Sequence, residues 1–252
     1  MKKLFALLAV FLLTGCFEIE QSIDLKTDLS GQAGFHLGVD LEPLVVVMAQ
    51  FGRAMEGKEG PLTAEELAKA KAEFKRSSKS SKNEMTRKDI QDALPEGVTL
   101  VDYGVKEQDF AIASDFRFAF AKLSHLVGVK LPSKNSDPAH KNVIDSPFEG
   151  IELSESGNTI TLRTKPQNPV ESVKEQASEA PKLDAATEKL VREAFRKMSV
   201  TYRITAPFEV VSTNATRREG NTLVWEYNID TFDEMAKSKR VDDAQLRVTY
   251  RR

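Results

Sequence analysis

The chain has a single cysteine, Cys16, among 252 residues, and that constrains its fold before any pattern is considered. No intramolecular disulfide can form, so packing alone must hold the structure. Hydrophobic residues make up 40% of the chain, enough for a sizeable core. The 36 basic and 38 acidic side chains nearly cancel, so the basic excess of a nucleic-acid binder is missing and no nucleic-acid partner is expected.

The surroundings of the thiol explain why it stands alone. Lys2 and Lys3 precede an apolar run from Leu4 to Leu13, which leads into Thr14, Gly15 and Cys16. A basic start, a short apolar stretch and a small residue before the thiol resemble a lipoprotein signal peptide, with Leu13, Thr14, Gly15 and Cys16 as its lipobox. Ten apolar residues in a helix rise about 15 Å, half of a hydrocarbon core about 30 Å thick, so the run is too short to span. Residues 1–15 are therefore expected to be cleaved, with diacylglycerol and an N-acyl chain such as palmitate added to Cys16. Loss of Lys2 and Lys3 takes the formal charge from −2 to −4. Two or more acyl chains, at about 0.8 kcal/mol per buried CH₂, make such an anchor effectively permanent. The expected location is extracytoplasmic, at a membrane of the cell envelope. Phe17, in place of an aspartate retention signal, favours the outer membrane where the host has two.

Residues 16–252 are expected to form one domain. Phe17, Ile19, Ile23 and Leu25 alternate with polar residues, and Ala33, Phe35, Leu37 and Val39 resume that period beyond the turn at Leu29, Ser30 and Gly31. This predicts an antiparallel hairpin starting at the anchor with almost no tether. A helical insertion is expected over 41–95. It comprises an apolar helix from Leu41 to Met55, a helix opened by a Thr63/Glu66 capping box, a mobile basic loop from Lys75 to Lys82, and a short helix from Thr86 to Leu94. Strands follow at Val98–Val105 and Phe110–Phe120, where Phe110, Ile112, Phe116, Phe118 and Phe120 should line one side and mark a central sheet position. Gly157 and Asn158 turn a second hairpin. Residues 166–182 read as an exposed connection, and Leu190, Val191, Ala194, Phe195 and Met198 as a helix seam capped by Asp184. Val200–Ile204, Leu223–Tyr227 and Leu246–Tyr250 supply the last strands. Sheet sections interrupted by helices, with no βαβ rhythm, indicate an α+β fold of mainly antiparallel sheet.

The usual catalytic motifs are missing. His36, His125 and His140 have no metal-ligand spacing, and no nucleophile elbow, HExxH, Walker loop or GxGxxG is present. Glu65 with Glu66 and Asp242 with Asp243 read as solvated pairs rather than acid/base dyads. Asp28 to Gly31 reads as a turn rather than a calcium loop, and the Asn214-Ala215-Thr216 sequon as an idle match. No catalytic residue, metal or cofactor is expected, apart from the covalent lipid. Two candidate binding features stand out. Leu44, Val45, Met48, Phe51 and Met55 would line a groove for an acyl chain, although burial against the sheet predicts the same residues. Lys75, Arg76, Lys79 and Lys82 would contact anionic headgroups, although a solvated linker predicts the same charges.

Ile23-Asp24-Leu25-Lys26-Thr27-Asp28-Leu29-Ser30-Gly31 and Gly220-Asn221-Thr222-Leu223-Val224-Trp225 resemble the corresponding ends of LppM-type bacterial lipoproteins. The resemblance covers the two ends of the chain. It implies an α+β domain linked to envelope lipids and carries across no catalytic residues. The helical insertion and the Tyr250-Arg251-Arg252 end, without a C-terminal membrane segment, depart from that pattern. Together these readings predict a non-enzymatic lipoprotein that binds a lipid or other hydrophobic ligand near the membrane. The alternative is a scaffold or accessory subunit of an envelope protein complex.

Overall fold

The structure is a computed structural model that describes residues 16–58, 60–78, 86–131, 147–164, 189, 196, 198–231, 234 and 245–252. The signal segment, most of the 184–198 helix seam and the 166–182 connection lie outside the described residues. The fold is α+β, with antiparallel pairing dominant.

Two sheets hold the strands. The larger has seven, in the order β3-β4-β2-β1-β7-β10-β9, and the smaller has four, in the order β5-β6-β11-β8. β1 (Cys16–Leu25) and β2 (Gly31–Asp40) form the first hairpin. Asp28 fixes its turn by accepting from the backbone and hydroxyl of Ser30 at 3.0 and 2.7 Å, an Asx-type closure. Leu29 adopts a left-handed φ of 65° and buries its side chain. Gly31 is required by close approach, since a Cβ there would lie 2.0 Å from the Asp24 carbonyl oxygen.

β3 (Val98–Gln108) and β4 (Ala111–Phe120) extend this sheet beyond β2. On its other side β1 pairs in parallel with β7 (Ser199–Thr205), followed by β10 (Thr222–Asn228) and the short β9 (Arg217–Glu219). The smaller sheet comprises β5 (Ile151–Ser156), β6 (Thr159–Thr164), β8 (Glu209–Thr213) and β11 (Arg247–Arg251). Its Ile160, Leu162, Val248 and Tyr250 share one core with Ile23, Phe35, Phe118, Ile204, Leu223 and Trp225 of the larger sheet.

The helical insertion divides in two. α3 (Arg87–Ala93), opened by a Thr86/Asp89 capping box, buries Ile90 completely in the shared core. It also shields the edge of β3: Arg87 donates to the Leu100 and Val101 carbonyls, and Gln91 accepts from the Leu100 amide. α1 (Glu42–Met55) and α2 (Ala64–Ser78) instead pack on each other. The expected Thr63/Glu66 box opens α2, with Thr63 N donating to Glu66 at 2.9 Å and Glu66 N donating back to Thr63 at 3.2 Å. Arg53 of α1 grips both Glu66 oxygens at 2.5 and 2.6 Å. A four-residue helix, α4 (Leu123–Leu126), closes the opposite end beside β4.

Candidate functional site

Strand polarity gathers the candidate features at one end of the larger sheet. β1 begins there, β2 ends there, and β3 and β4 turn there, so Cys16 pairs with Asp40, which pairs with Ala111, which pairs with Gln108. The next row toward the core holds Val39, Ile112 and Glu107, and the next row on that same face, two residues further in, holds Ile19, Leu37, Ser114 and Val105. These rows continue the face that carries Phe35, Phe116 and Phe118, because side chains repeat with a period of two along a strand.

Strand length decides what becomes of that face. β1 to β4 run for 10 or 11 residues, about 34 Å at 3.4 Å each, whereas the strands of the smaller sheet run for 5 or 6, about 20 Å. The smaller sheet therefore covers only part of the inner face. Ile112 is 37% exposed and Val105 43%. β4 has the expected position inside the sheet, with Ile112, Phe116, Phe118 and Phe120 on one face, but that face is buried only at Phe116, Phe118 and Phe120, and Phe110 belongs to the turn instead, with its ring centroid 5.9 Å from that of Phe74.

The helical pair is fastened at the same end. The Leu41 amide donates to the Phe110 carbonyl, and Asp40 accepts from the Glu42 amide where α1 starts. Lys71 pairs with Glu42, and Lys75 bonds Asp109 at 2.7 Å while sitting 4.9 Å from the Phe110 ring centroid. The basic segment is thus not a loop throughout. α2 continues to Ser78, so Lys75 and Arg76 are helical; Lys75 is held to the hairpin tip, while Arg76 is exposed and Lys79 and Lys82 lie outside the described residues. Of the proposed groove lining, Val45 is buried and Met48 is 37% exposed. The side chains of Leu44, Phe51 and Met55 lie outside the description.

One cavity among the described residues opens between the sheets, lined in part by Gln21, Tyr202, Thr164 and Leu246. Its volume of about 10 Å³ is room for roughly one water, far below the 300–1,000 Å³ of a small-molecule site. α1 does not line it. Burial at this inner face pushes the Tyr202 and Tyr227 hydroxyls up to about 12.

Several of the remaining polar groups have structural partners, while His125 Nδ1 is buried without a hydrogen-bond partner among the described residues. His36 Nδ1 lies 2.7 Å from Asp115 on the outer face of the sheet, and His125 packs against Gly97; His140 lies outside the description. Glu66 is held below the usual carboxylate range by the Thr63 backbone, and Asp109 by Lys75. Asp242 and Asp243 lie outside the described residues. Among those described, no group of three or more histidine, cysteine or acidic side chains is placed to hold a metal ion, and no helix is long and apolar enough to cross a membrane.

Strand parity in the sequence places Val39 with Phe35, and Ile112 with Phe116, on the inner face, whereas Val105 joins them only through a bulge between Leu100 and Asp102 that shifts the register of β3. The exposure of Val105 and Ile112 follows from the unequal strand lengths of the two sheets, which their own pattern does not contain.

No family model matches the chain, and no curated protein matches it in sequence. Among solved structures the chain is similar to the NMR structure of the folded domain of the Mycobacterium tuberculosis LppM protein, at 12% identity and a TM-score of 0.39, over 94% of this chain and 90% of that one.

Proposed function

We propose that this protein is an envelope lipoprotein, anchored outside the cytoplasm by acyl chains on Cys16, that works by binding rather than by catalysis. The observation that supports the reading is the start of β1. Cys16 is already a strand residue in register with Asp40, so no linker separates the attachment point from the sheet. Lipid on that residue holds the fold against the headgroups, where a lipid or another hydrophobic molecule is the available ligand. The inter-sheet cavity among the described residues holds about one water, so on this reading the ligand is met near α1 and Met48.

Metabolic labelling with a clickable fatty acid tests the anchor. Wild type is expected to take up label and sediment with membranes while Cys16→Ala does neither; an unlabelled wild type overturns the reading. Native mass spectrometry of the detergent-extracted protein tests the ligand. Absence of co-purifying lipid, with no uptake of added lipid, removes that half.

The size of the cavity favours a second reading, an accessory subunit that docks on an envelope complex. β5 and β8 are the edges of the smaller sheet, each paired on one side among the described residues. In-cell crosslinking through these edges is expected to capture a defined protein, and recovery of none dismisses the subunit.

A further inference from the structure

We infer that the Cys16 end of the larger sheet is itself a membrane contact, with Val39, Val105 and Ile112 seated among the lipid headgroups beside the anchor. This inference rests on acylation of Cys16 and adds a second attachment to it. Val39 and Ile112 are direct partners on β2 and β4, one residue inward from the row that contains Cys16. With strands about 4.8 Å apart and a rise of about 3.4 Å per residue, both lie within roughly 10 Å of Cys16. The interfacial layer on each side of a hydrocarbon core is about 6 Å deep. A lipid attached at a residue already locked in the sheet brings Val39 and Ile112 to that layer; Val105, three strands and three residues from Cys16 and about 18 Å away, is seated there when the sheet leans on its inner face.

Exposure points to an apolar occupant. Val105 and Ile112 are large apolar residues exposed at 43% and 37%, and the short strands of the smaller sheet do not reach them. Charge does not drive the contact. Glu107 is the partner of Ile112, Asp40 lies in the Cys16 row, Lys106 is the neighbour of both Val105 and Glu107 on β3, and Lys75 is bonded to Asp109, so acidic and basic groups are mixed here. An apolar seat of this kind is insensitive to salt and to the fraction of anionic lipid, unlike a basic headgroup site.

Because acylation consumes the chain's one native thiol, an introduced cysteine can be labelled alone. The full lipidated chain carrying Val105→Cys, Ile112→Cys or, on the smaller sheet, Val211→Cys is labelled with a polarity-sensitive fluorophore. Each variant is reconstituted into vesicles of phosphatidylethanolamine and phosphatidylglycerol, with and without brominated lipid. Labels at 105 and 112 are expected to shift to the blue and lose intensity to brominated lipid equally at low and high salt, while the label at 211, exposed at 47%, does neither. Protein that floats with the vesicles but has all three labels equally wet overturns the contact and leaves the anchor standing. A blue shift without bromine quenching means that protein, either a partner or a second copy, covers the patch, and this also overturns it. Protein that fails to float overturns the anchor and the contact together.

Discussion

Asn214 ties the two sheets together with one side chain. Its Oδ1 accepts from the Trp225 indole at 2.9 Å and from the Arg247 amide at 2.8 Å, and its Nδ2 donates to the Gln245 carbonyl at 2.6 Å. Trp225 is 1% exposed, so Asn214→Ala leaves a buried indole N–H without a partner. A loss of about 1–3 kcal/mol is expected in urea unfolding followed by the fluorescence of this single tryptophan. Tyr250 gives the opposite expectation. Its hydroxyl is buried with no hydrogen-bond partner among the described residues. Tyr250→Phe removes an uncompensated polar atom and is expected to leave stability unchanged or to raise it by about 1 kcal/mol in the same assay.

The elements show what the sequence made legible and what it did not. Local devices were readable: the Thr63/Glu66 box, the turn at Asp28 to Gly31 and the hairpin at Gly157 and Asn158 all depend on residues a few positions apart. The first hairpin supplies a test. At Gly31 an added methyl meets the Asp24 carbonyl oxygen at 2.0 Å and the Phe120 ring at 2.9 Å, so Gly31→Ala must open the ladder beside the core. It is expected to cost about 1–3 kcal/mol, measured by thermal unfolding. Features set by distant partners were not readable. The parallel pairing of β1 with β7 joins residues 18–24 to 199–205, and nothing in either stretch names the other. The end of α2 was misread because the run from Lys75 has no apolar side chain to bury. It is held instead by Asp109 and the Phe110 ring, more than 30 residues away.

For the whole molecule, alkaline pH is the informative stress. Tyr202 and Tyr227 have folded-state values of about 12 because burial disfavours the phenolate. The unfolded chain gives up these protons near pH 10, so their contribution to stability is complete below about pH 10 and is lost as pH rises toward 12. Unfolding is expected to coincide with a step in tyrosinate ultraviolet absorbance. If that step, measured as the difference between the chain and its Tyr202→Phe/Tyr227→Phe variant because two further tyrosines also absorb, appears while circular dichroism remains native, the two rings are not buried. The global arrangement also slows assembly: β1 cannot gain its second neighbour until the chain past residue 199 is available, and non-local pairings of this kind fold late. The sheet-wide core could be anticipated from strand parity at Phe116, Phe118 and Trp225, but the division into two sheets of unequal length could not.

β1 lies inside the larger sheet, joined to β2 over ten residue pairs and to β7 over seven. A pull on Cys16 along the strand must therefore slide two ladders at once, breaking many hydrogen bonds together rather than peeling them one by one. Drag from a bilayer or a moving partner would be carried in shear through the middle of the domain, the direction in which a β-sheet resists force best.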